Sequence, residues 1–108
     1  MIDITHKNST LRMAVAKATL VVGNEKTIEA VVNKTVPKGD VLEMAKTAGL
    51  FAVKNTSNSI PDCHPLPIEY TAIDYSISGL EITITMTVKT IYKTGVEVEA
   101  MHGASIIA

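Results

Sequence analysis

In residues 80–92, LEITITMTVKTIY, apolar and polar side chains alternate without interruption from Leu80 to Lys89. The apolar positions are Leu80, Ile82, Ile84, Met86 and Val88, and the polar positions between them are Glu81, Thr83, Thr85, Thr87 and Lys89. Successive side chains of a strand point to opposite faces of a sheet. The pattern therefore predicts a strand of an antiparallel sheet that covers a hydrophobic core on one face only.

Two further segments are predicted to be strands. Residues 68–77, IEYTAIDYSI, precede a tight turn at Ser78 and Gly79, so they form a hairpin with residues 80–92. Residues 11–22, LRMAVAKATLVV, have the Val and Ala content of a strand, although they alternate poorly.

Two helices are predicted between the first and second strands. One follows Asn24, a candidate cap, and places Ile28, Val31 and Val32 three and four positions apart. The other begins at a capping-box pattern of Asp40 and Glu43 and ends near Asn55. Its small residues share one face and would let a partner element approach closely; they are Val41, Ala45, Ala48 and Ala52.

A last helix is predicted to open at Thr94 and Glu97, which have the spacing of a second capping box. It runs to Ala108 on an apolar end without a polar cap, so we expect a C-terminally incomplete domain. At this length, residues 1–108 form a single domain. Helices on one face of an antiparallel sheet make an α+β two-layer sandwich.

Composition excludes several classes of protein. Ten basic and eleven acidic residues give a net charge of −1, which would not gather nucleic acid or anionic lipid. No apolar run is long enough to cross a bilayer. The lone Cys63 cannot form an internal disulfide, and residues 1–15 lack the features of a signal peptide. These observations predict a cytoplasmic protein.

Cys63 and His64 lie in SIPDCHPLPIEY, residues 59–70, among three prolines. Proline restricts its own backbone and that of the preceding residue, so we expect an extended segment that loses little entropy when a ligand binds. Adjacent side chains of an extended chain point apart, which disfavours both a zinc site and a Cys-His nucleophilic pair. His64 is either a satisfied loop histidine or a functional residue, and the sequence alone leaves both readings open.

Lys38 lies in PKGDV, residues 37–41, just before a helix N-terminus that could hold a phosphate. The segment lacks the Gly-rich lead-in of a P-loop, and Asp40 could be no more than a cap. Lys54 follows sixteen residues later, about 24 Å along a helix axis. A small ligand cannot reach both lysines of one copy, so a site that uses both would be shared between subunits.

Glu97 and Glu99 lie in KTGVEVEA, residues 93–100. Glu97 could simply complete the cap at Thr94. Glu99 is then a surplus carboxylate, and two carboxylates could accept hydrogen bonds from the N–H edge of a guanine-like ring.

KGDVLEMAKTAGLFAVKNTSNSIPDCHPLPI and KTGVEVEA together resemble, in order and spacing, motifs of the MoaC family, the cyclic pyranopterin monophosphate synthases of molybdenum cofactor biosynthesis. The family's KGDV, IPLCHPL and KTGVEMEA all have counterparts, with Asp62 in place of the usual Leu and Val98 in place of the usual Met. The likeness begins at IDIT, residues 2–5, and covers nearly the whole chain.

The resemblance implies a ferredoxin-like sheet with helices, and hexamers built as trimers of dimers with active sites at subunit interfaces. It implies a lyase that converts 3',8-cyclo-7,8-dihydro-GTP to cyclic pyranopterin monophosphate with release of pyrophosphate. The candidate catalytic residues are then Lys38 and His64. The candidate substrate-binding residues are Lys54, Asp62, Cys63, His64, Glu97, Val98 and Glu99. No metal site and no required cofactor are implied, although Mg²⁺ could accompany the triphosphate.

By the same resemblance, the family's catalytic aspartate and a nearby lysine would lie beyond Ala108. A non-catalytic nucleotide-binding or scaffold fragment of the same fold is therefore the alternative function. An RNA-binding module is disfavoured, because 4% aromatic residues and no basic excess leave little to stack on bases or hold a phosphate backbone.

Overall fold

The computed structural model describes residues 1–108 and contains one open, three-stranded antiparallel sheet. The strands are β1 (Thr10–Val21), β2 (Tyr70–Ser78) and β3 (Glu81–Tyr92), in the spatial order β1-β3-β2. All three predicted strands are therefore present. The long register between β1 and β3 runs from Thr10 opposite Tyr92 to Val21 opposite Glu81.

The alternation of β3 is confirmed by burial. Ile82, Ile84, Met86 and Val88 are at most 5% exposed and form the centre of the core. Leu80 does not belong to this row, because it lies with Gly79 in the two-residue hairpin loop that joins β2 to β3. Gly79 has a φ of 58°, a left-handed conformation that glycine adopts at little cost.

Four helices complete the chain: α1 (Glu25–Val32), α2 (Val41–Lys54), α3 (Thr56–Ser59) and α4 (Glu97–Ile107). The predicted cap of α1 forms, and Asp40 supplies its half of the capping box predicted for α2. Asn24 Oδ1 accepts a hydrogen bond from the backbone N–H of Lys26 at 2.7 Å, and Asp40 Oδ1 accepts one from Glu43 at 3.2 Å. The short helix α3 was not predicted.

The predicted capping box of α4 is wrong. The N-cap position is Val96, and no side chain caps the helix. Glu97 is the first helical residue, and its carboxylate folds back against Gly95, where a Cβ atom would collide with it. Thr94 therefore lies two residues too early to reach the free N–H groups of the first turn.

Two glycines bring α2 and α4 together. A Cβ atom on either Gly49 or Gly103 would lie 3.5 Å from the carbonyl oxygen of the other glycine. The predicted small-residue face of α2 is partly wrong, because Ala48 is exposed while Gly49 and Val53 are buried. The close contact thus occurs one position further along the helix than predicted.

The order of elements matches the first five of the β-α-β-β-α-β ferredoxin-like arrangement, with α1 to α3 together in the first helical position. Tyr75 on β2 donates a hydrogen bond to the carbonyl of Leu42 at 2.8 Å and so ties the sheet to α2. The helices pack against one face of the sheet, and the α+β two-layer sandwich is confirmed. None of the helices has the length and apolar character to cross a membrane.

Candidate active site

A cavity of about 510 Å³ lies where the N-terminal segment, the loop after α3 and the start of α4 meet. Six of the residues predicted from the sequence line it: Asp62, Cys63, His64, Glu97, Val98 and Glu99. They come from two segments more than thirty positions apart in the sequence. The structure thus brings the motif around residues 62–64 and the motif around residues 97–99 to one wall of the cavity.

The loop that carries Cys63 and His64 is not extended as predicted. The backbone N–H of Cys63 donates to the carbonyl of Ile60 at 3.1 Å and closes a turn with Pro61 in its second position. Proline favours this position because its fixed φ matches the turn. This bend is at the wall of the cavity that both Cys63 and His64 line, although adjacent side chains of an extended segment were expected to point apart.

The end of this loop is fastened to β3. Glu69 Oε1 accepts a hydrogen bond from the backbone N–H of Ile91 at 2.6 Å, and the hydroxyl of Thr90 donates to the carbonyl of Pro67. Thr90 is buried, so its hydrogen bond to Pro67 is partly shielded from water, whereas the bond between Glu69 and Ile91 is exposed. The rigid strand therefore fixes the position of the loop relative to α4.

Glu99 is 4% exposed and has no other residue as a hydrogen-bond partner for its carboxylate. Burial raises its pKa above the ordinary glutamate value, and the nearby charge of Glu97 adds to this effect. Its own backbone N–H and His102 act in the opposite direction. The cavity wall therefore contains a carboxyl group that takes up a proton more readily than an exposed glutamate.

Cys63 is not an activated nucleophile. Burial raises the pKa of its thiol, and the carboxylates of Glu99, Asp62 and Glu97 raise it further. A reactive cysteine needs the opposite environment, one that stabilises the thiolate. Cys63 is thus suited to contacting a ligand rather than attacking it.

The N-terminal segment forms the remaining wall of the cavity and was not predicted to do so. Its contributions include Ile2, Ile4 and Lys7. His64 Nε2 lies 2.7 Å from the carbonyl oxygen of Ile2, and because a carbonyl can only accept, the imidazole donates. Only the similarity of IDIT to the family pointed to this segment, and it did not indicate that the segment crosses the cavity.

Lys38 and Lys54 do not line this cavity. Lys38 is exposed in a turn closed by a 3.0 Å hydrogen bond from the backbone N–H of Gly39 to Val36, before α2. Lys54 is exposed at the other end of α2 and lines a separate hollow of about 160 Å³ with Phe51. Lys38 thus precedes the start of α2 and Lys54 is its last residue, so the two lysines lie at opposite ends of this helix.

The phosphate cradle considered at the N-terminus of α2 is already filled by a side chain. Asp40 caps the helix and lies 3.2 Å from the ammonium of Lys34. The hydrogen bond from Glu43, followed by the pairing with Lys34, holds the pKa of Asp40 below its usual value. Nowhere in the chain do three or more His, Cys, Asp or Glu side chains lie close enough to hold a metal ion.

The sequence model of the MoaC family matches residues 1–108, the whole of the described chain. The chain belongs to the MoaC family. The resemblance drawn from the three motifs is confirmed.

Several relatives of this MoaC chain are named as cyclic pyranopterin monophosphate synthases or as probable ones. It is 48% identical over 110 residues to a cyclic pyranopterin monophosphate synthase of Clostridium perfringens. The aligned region covers 100% of this chain and 69% of the relative. It is 44% identical over 106 residues to a probable cyclic pyranopterin monophosphate synthase of Archaeoglobus fulgidus, covering 98% and 67%. A synthase of Geobacillus thermodenitrificans is 44% identical over 112 residues, covering 100% and 68%.

The chain thus spans about two thirds of the length of these relatives. Membership of the family and the names of the relatives support the predicted role in molybdenum cofactor biosynthesis and the prediction of an enzyme. The roles assigned to single residues stay predictions.

Proposed function

We propose that this MoaC chain is a cyclic pyranopterin monophosphate synthase that acts on 3',8-cyclo-7,8-dihydro-GTP and releases pyrophosphate. The observation that carries the proposal is the cavity, whose wall combines the loop of residues 62–64 with Glu97, Val98 and Glu99. Family membership alone would support the activity without locating it.

The cavity offers groups that suit a guanine-derived ring. Glu97 and Glu99 supply carboxylate acceptors for ring N–H groups, and His64, whose Nε2 donates to the carbonyl of Ile2, lines the same cavity. Ile2, Ile4, Leu66 and Val98 supply apolar surface to the same cavity. A largely apolar wall with a few convergent polar groups is the usual form of a small-molecule site.

The cavity of one copy offers few cations for the phosphates. Asp62, Glu97 and Glu99 contribute negative charge to the wall, and its cations are Lys7 and the ammonium of Met1, which lies 3.4 Å from Asp62 Oδ1. We therefore propose that Lys38 and Lys54 of a neighbouring copy meet the triphosphate, which could arrive with Mg²⁺ bound. In this arrangement Lys38 and His64 are the catalytic candidates and Lys54 binds substrate.

An oligomer is proposed because the single chain leaves much surface uncovered. Its accessible area is 6747 Å², whereas a compact monomer of 11.5 kDa exposes about 5,800 Å². The face of the sheet opposite the helices carries exposed apolar residues, namely Leu11, Met13, Val15, Val21, Tyr70 and Ile91. We propose that other copies cover this face in a hexamer built as a trimer of dimers, located in the cytoplasm.

His64→Ala tests the site. We expect product formation from the cyclised nucleotide to fall by about 10²-fold or more, because a positioned donor of this kind typically contributes that much. Mass spectrometry of the product and a pyrophosphate assay would measure the loss, with circular dichroism as the test of folding.

His6→Ala is the matched control, since His6 is exposed and does not line the cavity. Unchanged turnover in His64→Ala would contradict the assignment of the site. Binding of the nucleotide without any turnover in the unmodified protein would favour a non-catalytic binding role.

A further inference from the structure

The N-terminal segment forms one wall of the cavity and is held on both sides. On one side, the carbonyl oxygen of Ile2 accepts a hydrogen bond from His64 Nε2 at 2.7 Å. On the other side, Thr10 begins β1 and lies opposite Tyr92 on β3. The chain between these two points is therefore tied both to His64 and to the sheet.

Two consecutive turns set the position of Lys7 within this segment. Asp3 Oδ1 accepts hydrogen bonds from the backbone N–H of Thr5 at 2.9 Å and from the hydroxyl of Thr5 at 2.8 Å. Short polar side chains such as Asp stabilise turns through bonds of this kind. The backbone N–H of Lys7 then donates to the carbonyl of Ile4 at 3.1 Å. These bonds determine where the Lys7 side chain leaves the backbone.

Lys7 is the lysine of the cavity wall, and no carboxylate pairs with it. The ammonium of Met1, which lines the same cavity, lies 3.4 Å from Asp62 Oδ1. The other ion pair of the chain joins Lys34 to Asp40, outside the cavity. Lys7 thus shares a cavity with three carboxylates and keeps its own charge free for a ligand.

The charges of the cavity orient a nucleotide. Glu97 and Glu99, at the start of α4, repel phosphate and can accept hydrogen bonds from ring N–H groups. Phosphate oxygens are stabilised by a lysine ammonium, a compact charge with three donors. The ring of a guanine-derived nucleotide therefore belongs at α4, and its phosphate chain belongs at the N-terminal wall beside Lys7.

We infer that Lys7 is a binding residue of the proposed active site that meets the phosphate chain of the substrate, and that the turn closed by Asp3 holds it there. The inference rests on the proposed function, and it adds a lysine of the same copy to the two lysines proposed from a neighbouring copy. Asp3 acts through Lys7 and is a positioning residue. Lys7 thereby determines which way round the nucleotide lies in the cavity.

Lys7→Gln tests the inference, because the amide removes the charge and keeps most of the side chain. Isothermal titration calorimetry measures the dissociation constants of GTP and of guanosine. We expect Lys7→Gln to weaken GTP binding about tenfold, the scale of a hydrogen bond to a charged group, and to leave guanosine binding unchanged. Lys7→Arg should restore GTP binding. Lys26→Gln, at an exposed position of α1 outside the cavity, is the matched control and should change neither constant.

Asp3→Ala and Asp3→Asn test the positioning role. Alanine removes both hydrogen bonds from Thr5, so the GTP affinity should fall toward that of Lys7→Gln. The Asn amide oxygen can accept the same two bonds, so Asp3→Asn should retain the GTP affinity. A general loss of structure would weaken guanosine as well, and an unchanged guanosine affinity excludes it. Equal GTP affinity in Asp3→Ala and the unmodified protein would contradict the positioning role.

Unchanged GTP affinity in Lys7→Gln would overturn the inference, and so would an equal loss of GTP and guanosine affinity. Binding of ATP separates this failure from a failure of the proposed function. If the unmodified protein prefers GTP to ATP and Lys7→Gln has no effect, the guanine site stands and the role of Lys7 fails. If Lys7→Gln weakens GTP and ATP alike and the unmodified protein shows no preference for GTP, the role of Lys7 stands and the guanine site fails. An unmodified protein that does not bind GTP would contradict both.

Discussion

Glu99 is a buried carboxylate without a partner residue, so its charged form opposes folding. In the unfolded chain it titrates near the ordinary value of 4.5, and in the folded chain its pKa is raised. The folded chain therefore binds the proton more tightly, and stability falls as the pH rises through the interval between the two pKa values. Below that interval the penalty disappears, because the group is protonated in both states.

Glu99→Gln is expected to stabilise the fold at neutral pH, because it removes the negative charge whose burial raises the pKa of Glu99. The difference from the unmodified protein should shrink toward pH 4. Urea unfolding followed at several pH values measures both effects. Glu81→Gln, at the exposed start of β3, serves as the control and should change little at any pH. A Glu99→Gln protein that is less stable at pH 7 would show that the carboxylate has a partner after all.

Single residues of the candidate site were predicted from the sequence to different extents. The segments containing Asp62 to His64 and Glu97 to Glu99 were found because they form unusual local patterns, three prolines around one dipeptide and a surplus acid at a helix start. The position of Lys7 on the cavity wall was missed, because an exposed lysine near the terminus carries no local signal. Its position depends on how distant segments cross.

At the level of the elements, the crossing of α2 and α4 depends on having no side chain at Gly103. A Cβ atom there would lie 2.5 Å from Val53 Cγ2 and 2.7 Å from Met86 Cε. Both side chains are almost fully buried, so neither has free space to move into.

Gly103→Ala should lower the free energy of unfolding by about 1–3 kcal/mol, the typical cost of overpacking. This exceeds the gain of roughly 1 kcal/mol that alanine normally brings to a helix interior. Gly23→Ala is the control, since nothing lies within 4 Å of its added Cβ, and it should be neutral or slightly stabilising. Thermal unfolding of the two variants measures both effects. Equal stability of the two variants would mean that α2 and α4 can move apart without a loss of stability.

The elements show where sequence patterns succeed. The strands and the caps of α1 and α2 follow from alternation and from local hydrogen bonding, and both were predicted correctly. The cap of α4 was predicted wrongly because Thr94 and Glu97 have the right spacing but the helix begins at Glu97 itself, with Val96 in the N-cap position. The close face of α2 was misplaced by one residue because glycine is absent from apolar patterns, although it allows the closest approach.

At the level of the whole molecule, the uncovered face of the sheet should determine the oligomeric state. Val15 lies at its centre on β1, opposite Thr87 on β3, and is 57% exposed. Burying a charge there in a subunit contact is strongly unfavourable.

Val15→Glu should convert an oligomer into smaller species at micromolar concentration, with an unchanged circular dichroism spectrum. Light scattering after gel filtration gives the mass of each species. Val32→Glu introduces the same change at a similarly exposed position on α1, away from the sheet face, and should keep the original mass. An unmodified protein that runs as a monomer would exclude the proposed assembly.

The hydrogen bond between His64 and the carbonyl of Ile2 has a kinetic consequence. An incoming molecule that needs the same imidazole nitrogen must wait until the backbone of residues 1–7 withdraws. Its observed association rate would then level off at high ligand concentration, at the rate at which residues 1–7 move away from His64. Competing nucleotides would then differ in affinity through their dissociation rates rather than through their association rates.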